Sequence, residues 1–147
     1  MSELIHFEQR LAGLIEKLSP TNRRRLAANI AKQLRISQQQ RIKRQQAPDG
    51  TLYAARKAQP IRGKKGRVKR AMFVKLRTNR YMTAKGTQEA ATVTFVGQVQ
   101  RMARVHQEGR RDRAGRLGRE VRYERRALLG FNKKAIEAIE LMVLKEI

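Results

Sequence analysis

The sequence predicts an α+β fold: two N-terminal helices, a small antiparallel sheet with a short helix, and a C-terminal helix. Three observations carry that reading. Apolar residues recur at three- and four-residue spacing from Leu4 to Ile42. They alternate with threonines over Ala91–Val96. They return to helical spacing from Ile136 to Ile147. At 147 residues the chain is expected to form a single domain, 1–147, with a helical part 3–46, a mobile basic loop 56–70, a β-rich part 72–125 and a helix 132–147. A chain of this size buries roughly 68–70% of its unfolded surface, enough for a core.

In the first helix, 3–18, Leu4, Phe7, Leu11, Leu14, Ile15 and Leu18 form one stripe, with Glu3, Glu8 and Glu16 off it. Ser19-Pro20 ends it and starts the next, with serine as N-cap and proline at the first helical position. The second helix is expected to run from Pro20 to about Gln46. Leu26, Ala27, Ile30, Ala31, Leu34 and Ile42 make its apolar stripe, and Arg23, Arg24, Arg25, Lys32, Arg35, Arg41, Lys43 and Arg44 its basic face.

Pro48-Asp49-Gly50 is a turn, because proline fixes φ and glycine tolerates positive φ. Thr51–Tyr53 reads as a short strand, 56–70 as a basic loop without periodicity, and 72–76 as either strand or short helix. Residues 80–84 and 90–96 read as two strands of a hairpin with its loop near Lys85–Glu89. Together with Thr51–Tyr53 and Glu120–Tyr123 they predict one sheet of three or four strands. Between them lie a short helix bearing Val99, Met102, Ala103 and Val105, its C-cap Gly109, and a basic loop from Arg110 to Gly118. Asn132 is the expected N-cap of the last helix. Its stripe of Ile136, Ile139, Val143 and Ile147, widened by Leu141, Met142 and Leu144, is more apolar than a surface helix needs. It suits a domain core or a subunit contact.

Charge narrows the partners. Thirty-five lysines and arginines against twelve acids give a formal net charge of +23. Such a field calls for a polyanion or an acidic protein surface, and it repels its own copies. Residues 61–80 hold nine basic residues and no acid, whereas the last sixteen residues are balanced. The expected partner or DNA contacts are Arg62, Lys64, Lys65, Arg67, Lys69 and Arg70 in one segment and Arg110, Arg111, Arg113 and Arg116 in the other.

Catalysis has no foothold. There is no cysteine, and neither His6 nor His106 sits in a nucleophile, metal or phosphate-loop motif. His106 reads as structural, Glu137, Glu140 and Glu146 as solvated charges, and no cofactor is expected. Tyr53, Tyr81 and Tyr123 could stack on bases but fit equally as half-buried strand residues. No signal peptide and no run of roughly 18 apolar residues for a membrane span is seen. Composition alone would place the chain among non-catalytic nucleic-acid binders of ribosomal or chromatin type.

The order of motifs points elsewhere. "PDGTLYAARK", "MFVKLRTNRYM", "ARVHQEG", a basic loop and "VRYERRALLGF" before a closing helix resemble the tail completion (virion morphogenesis) proteins of contractile-tailed bacteriophages. The resemblance spans nearly the whole chain. Its structural positions are the Pro48–Gly50 turn, the Arg104–Gly109 helix end and the Arg126–Gly130 approach to the last helix. It implies a non-enzymatic late protein that completes the head-proximal end of the tail and enables head–tail joining as an oligomeric ring. The implied neighbours are tail tube or sheath proteins and head connector proteins, with non-specific DNA contact, in the virion and, during assembly, the host cytoplasm. The segment Arg62–Arg70 is richer in lysine and arginine than the family pattern.

Overall fold

A computed structural model describes residues 9, 12, 13, 15–55, 71–113 and 120–146. Among them are three helices, α1 (Pro20–Lys43), α2 (Gly97–Glu108) and α3 (Lys133–Lys145). Four strands accompany them: β1 (Met82–Gly86), β2 (Ala91–Phe95), β3 (Arg111–Arg113) and β4 (Glu120–Arg122). The α+β class holds. Residues 3–8, 10, 11 and 14 of the expected first helix and the whole basic segment 56–70 lie outside the described residues, while Gln9, Ala12, Gly13 and Ile15 are helical. The chain divides into two compact units, one from the described residues of 1–37, 83–94 and 131–147, the other from those of 38–82 and 95–130.

The first unit has an apolar core. Leu26, Ile30 and Leu34 of α1 pack with Ala135, Ile139 and Val143 of α3, and Leu18, Ala91, Val93 and Met142 close over them. Ser19 caps α1 as expected: its hydroxyl accepts from the Asn22 N–H at 3.2 Å. Asn132 caps α3 by accepting from the Ala135 N–H at 2.8 Å. The inward row of α3 begins at Ala135, while Ile136 is only partly buried.

The β1–β2 hairpin turns through Thr87–Ala90. Thr87 N–H donates to the Ala90 carbonyl at 2.8 Å, and the Thr87 hydroxyl accepts from the Glu89 and Ala90 N–H groups. Gly86 touches the backbone of α1: a Cβ there would lie 2.6 Å from Ala27 C and Ala28 Cα.

The second unit is organised around polar side chains. Its buried apolar residues are Ile42, Leu76, Met82, Phe95, Ala103, Val105 and Leu128. The extended run 126–130 is held by side chains that replace the ladder it lacks. Gln107 Oε1 accepts from Leu128 and Leu129 N–H at 2.7 and 3.0 Å, and its Nε2 donates to Leu129 O at 2.9 Å. Gln38 brackets Gly130 in the same way. Arg41, read from the sequence as part of the basic face of its helix, is buried and donates to Leu128 O at 2.6 Å. Burial lowers its pKa, with Arg44 adding and Tyr53 opposing. Arg126 is buried too, its guanidinium donating to the carbonyls of Ala54 and Ala55.

Three expectations need correcting. The second helix ends at Lys43 rather than near Gln46, because Gln45 turns left-handed (φ 57). Gln45 N–H bonds to Ile42 O and Gln46 N–H to Arg41 O, a Schellman closure without glycine. The Gln45 amide holds this geometry by accepting from Met72 N–H at 2.7 Å and donating to Met72 O at 2.9 Å. Gln45→Ala keeps the left-handed cost and loses those bonds, so it is expected to destabilise the chain by roughly 2 kcal/mol, measured by urea unfolding.

The single sheet is also replaced. Leu52 makes only an isolated bridge to Gln46, and two separate two-stranded sheets form, β1 with β2 and β3 with β4. The register of the second pairs Arg111 with Arg122, Asp112 with Val121 and Arg113 with Glu120. The start of the basic loop is thus a strand. Finally, Met102 is exposed, whereas Ala103 and Val105 face inward on α2.

Candidate partner-binding surface

Helix α2 ends where Gly109 takes φ 67, a conformation that costs glycine nothing. A Cβ at that position would also meet Arg125 at 3.0 Å. Both the Gly109 and Arg110 N–H groups return to Val105 O. The reversal lays β3 beside the last turns of α2. Arginines from the two elements then surround an open depression of about 370 Å³, lined by Gln100, Arg101, Arg104, Arg110, Arg111 and Asp112 among others.

The four arginines are not equivalent. Arg101 pairs with Asp112 at 2.9 Å, and Arg110 pairs with Glu108. Arg104 and Arg111 are exposed and have no ion-pair partner among the described residues. Asp112 and Glu108 thus hold two of the four guanidinium groups in place. Exposed pairs of this kind contribute little to folding. Guanidinium forks match carboxylate and phosphate oxygens in two-point contacts. The depression therefore suits a polyanion or an acidic protein face.

Of the expected contact residues, Arg110 and Arg111 line this depression. Arg113 is exposed at the end of β3, its N–H donating to Asp112 Oδ1. Arg62, Lys64, Lys65, Arg67, Lys69, Arg70 and Arg116 lie outside the described residues. Arg101 and Arg104 were not among the expected contacts. Their three-residue spacing on one helix face was the available signal.

His106 has a structural setting. Its ring meets Phe73 at 4.9 Å and Tyr123 at 5.0 Å, both edge-on, and Phe73 meets Tyr53 at 5.7 Å. These contacts hold Phe73 at φ 66, which costs a bulky residue about 1–2 kcal/mol. Tyr53 spends its hydroxyl on Ala127 O at 2.8 Å, and burial raises its pKa to about 12. No group of three or more potential metal ligands occurs among the described residues.

Burial, with the nearby Arg126 charge, holds the His106 pKa below its ordinary value. An unfolded chain with histidine near pH 6.5 then binds the proton better than the folded one. The His106 contribution to stability is complete above that value and is lost as pH falls through it toward the lower folded value. The Tm difference between wild type and His106→Phe is expected to shrink or reverse between about pH 7.5 and about pH 5.

Residues 2–147 match the phage virion morphogenesis family. The chain belongs to that family. A relative is the "Tail completion protein S" of Escherichia phage P2, 47% identical over 145 residues, covering 98% of this chain and 97% of that protein. No solved structure matches. Membership in the phage virion morphogenesis family agrees with the motif order, and it gives the charge a setting in particle assembly. Among the described residues no helix is long and apolar enough to cross a membrane.

Proposed function

We propose that this chain completes the head-proximal end of a contractile phage tail and so enables heads to join, acting as a closed ring of copies without catalysis. The near full-length similarity to the tail completion protein of phage P2 carries this reading. A compact chain of this size has a radius of gyration of about 15 Å, too small to encircle a DNA duplex alone. Several copies in a head-to-tail ring could do so. The arginine depression supplies a surface for the partner, either DNA phosphates or an acidic face of a tail tube, sheath or head connector protein.

Supplying the chain in trans to a phage lacking its own tail completion gene tests the role. Wild type is expected to restore plaque-forming particles. Arg104→Ser/Arg111→Ser should leave folding intact, since both side chains are exposed, and lower particle yield at least tenfold. Full yield from the double variant would remove the depression from the account. Failure of the wild type to restore any particles would remove the role itself.

A further inference from the structure

The first unit has two apolar features at its surface, one on the far side of α3 and one directly over its core. On α3, Leu141 and Leu144 are 61% and 53% exposed, on the side away from Ala135, Ile139 and Val143. Glu137 and Lys145 stand four residues before and after Leu141, in the same row. The second feature is an open groove of about 300 Å³ whose floor is the core residues Leu26 and Ile30 and whose walls include Ile15, Ile136 and the 60%-exposed Phe131. Arg23 and Glu89 also line it.

We propose that this groove receives the Leu141–Leu144 ridge of a second copy of the chain. The inference rests on the ring reading above and says which surfaces close the ring. Charge argues for a second copy through this helix. A chain of net charge +23 repels itself, yet α3 and its cap carry three lysines and three glutamates. The ridge side of the contact therefore adds little repulsion, and Arg23 is the basic side chain of α1 that lines the groove. The flanking charges also complement one another: Glu137 and Lys145 beside the ridge, Arg23 and Glu89 beside the groove. Ridge and groove are different surfaces, so the contact is head-to-tail. Such a contact can continue around a ring, whereas a ridge-on-ridge contact would stop at a dimer.

Sedimentation velocity of the nuclease-treated full chain at about 0.1 M and about 1 M salt tests this, because screening shortens from about 10 Å to about 3 Å between them. Wild type is expected to form a discrete species larger than a dimer, with association at least tenfold tighter at high salt. Leu141→Glu/Leu144→Glu and Phe131→Glu should each be monomeric with unchanged circular dichroism, since these side chains are exposed. An equimolar mixture of the two should form a dimer and stop there, each chain contributing its intact surface.

A monomeric wild type at both salts would overturn the proposal, as would oligomers formed by the ridge variant. Oligomers from the groove variant alone would indicate ridge-on-ridge contact and also overturn it. So would a monomeric wild type that loses thermal stability on Phe131→Glu, which would mean that the chain fills its own groove. Association that weakens with salt would indicate a charged interface and count against it. Restored particles from wild type, alongside any of these failures, would sink the interface and leave the tail-completion role standing. A confirmed ring that restores no particles would do the opposite.

Discussion

Gly86→Ala is expected to destabilise the chain by roughly 3 kcal/mol, among the largest effects of any single methyl group here. A Cβ at residue 86 would press on α1 backbone at Ala27 and Ala28 rather than on a side chain that could swing aside. Either the hairpin lifts from α1, loosening Ala91 and Val93 from the core, or the helix bends. At about 2–4 °C per kcal/mol the melting point should fall by about 6–12 °C. Gly97→Ala is the control: it meets nothing within 4 Å and begins a helix. It should be neutral or slightly stabilising. Equal melting points for the two variants would show that the 86 contact is not tight.

Arg41→Met is expected to cost roughly 3 kcal/mol for a different reason. Methionine keeps the aliphatic bulk but leaves the Leu128 carbonyl without its 2.6 Å donor and weakens the hold on Gly130. Because 126–130 belongs to neither sheet, side-chain donors and acceptors are its main restraint. Hydrogen exchange should therefore accelerate first at the amides of Leu128 and Leu129, which Gln107 holds from the other side. Arg41→Lys retains the charge but cannot reach both carbonyls, and should recover only part of the loss. Unchanged protection at Leu128 and Leu129 in Arg41→Met would show that Gln107 alone positions the segment.

The first unit was legible because its signals are local. Ser19-Pro20 and Asn132 mark helix starts, the spacing of Leu26, Ile30 and Leu34 marks one buried face, and Thr92-Val93-Thr94 marks a strand. In the second unit the Gly109 helix end and the Pro48–Gly50 turn were legible, but the rest was not, because its order depends on pairs far apart in sequence. Gln38 and Gly130 are 92 residues apart, and nothing near Gln38 or Arg41 tells a buried clamp from a solvated helix face. β3 reads as a charged loop, since Arg-Asp-Arg has no apolar alternation. It becomes a strand through its pairing with β4. Half of the arginine depression was visible as charge density at Arg110 and Arg111. Arg101 and Arg104 joined it only once the Gly109 reversal placed the strand beside the helix. The excess of apolar residues on α3 was visible from the start. Which of them faced outward depended on the inward row beginning at Ala135.

The most direct test of tail completion is where the protein sits. Tails assembled in cells that supply an affinity-labelled chain can be decorated with gold and viewed by electron microscopy. The account predicts label at one tip only, the tip that meets the head, in both free tails and joined particles. Label along the tube, at the opposite tip or nowhere on the tail would contradict it.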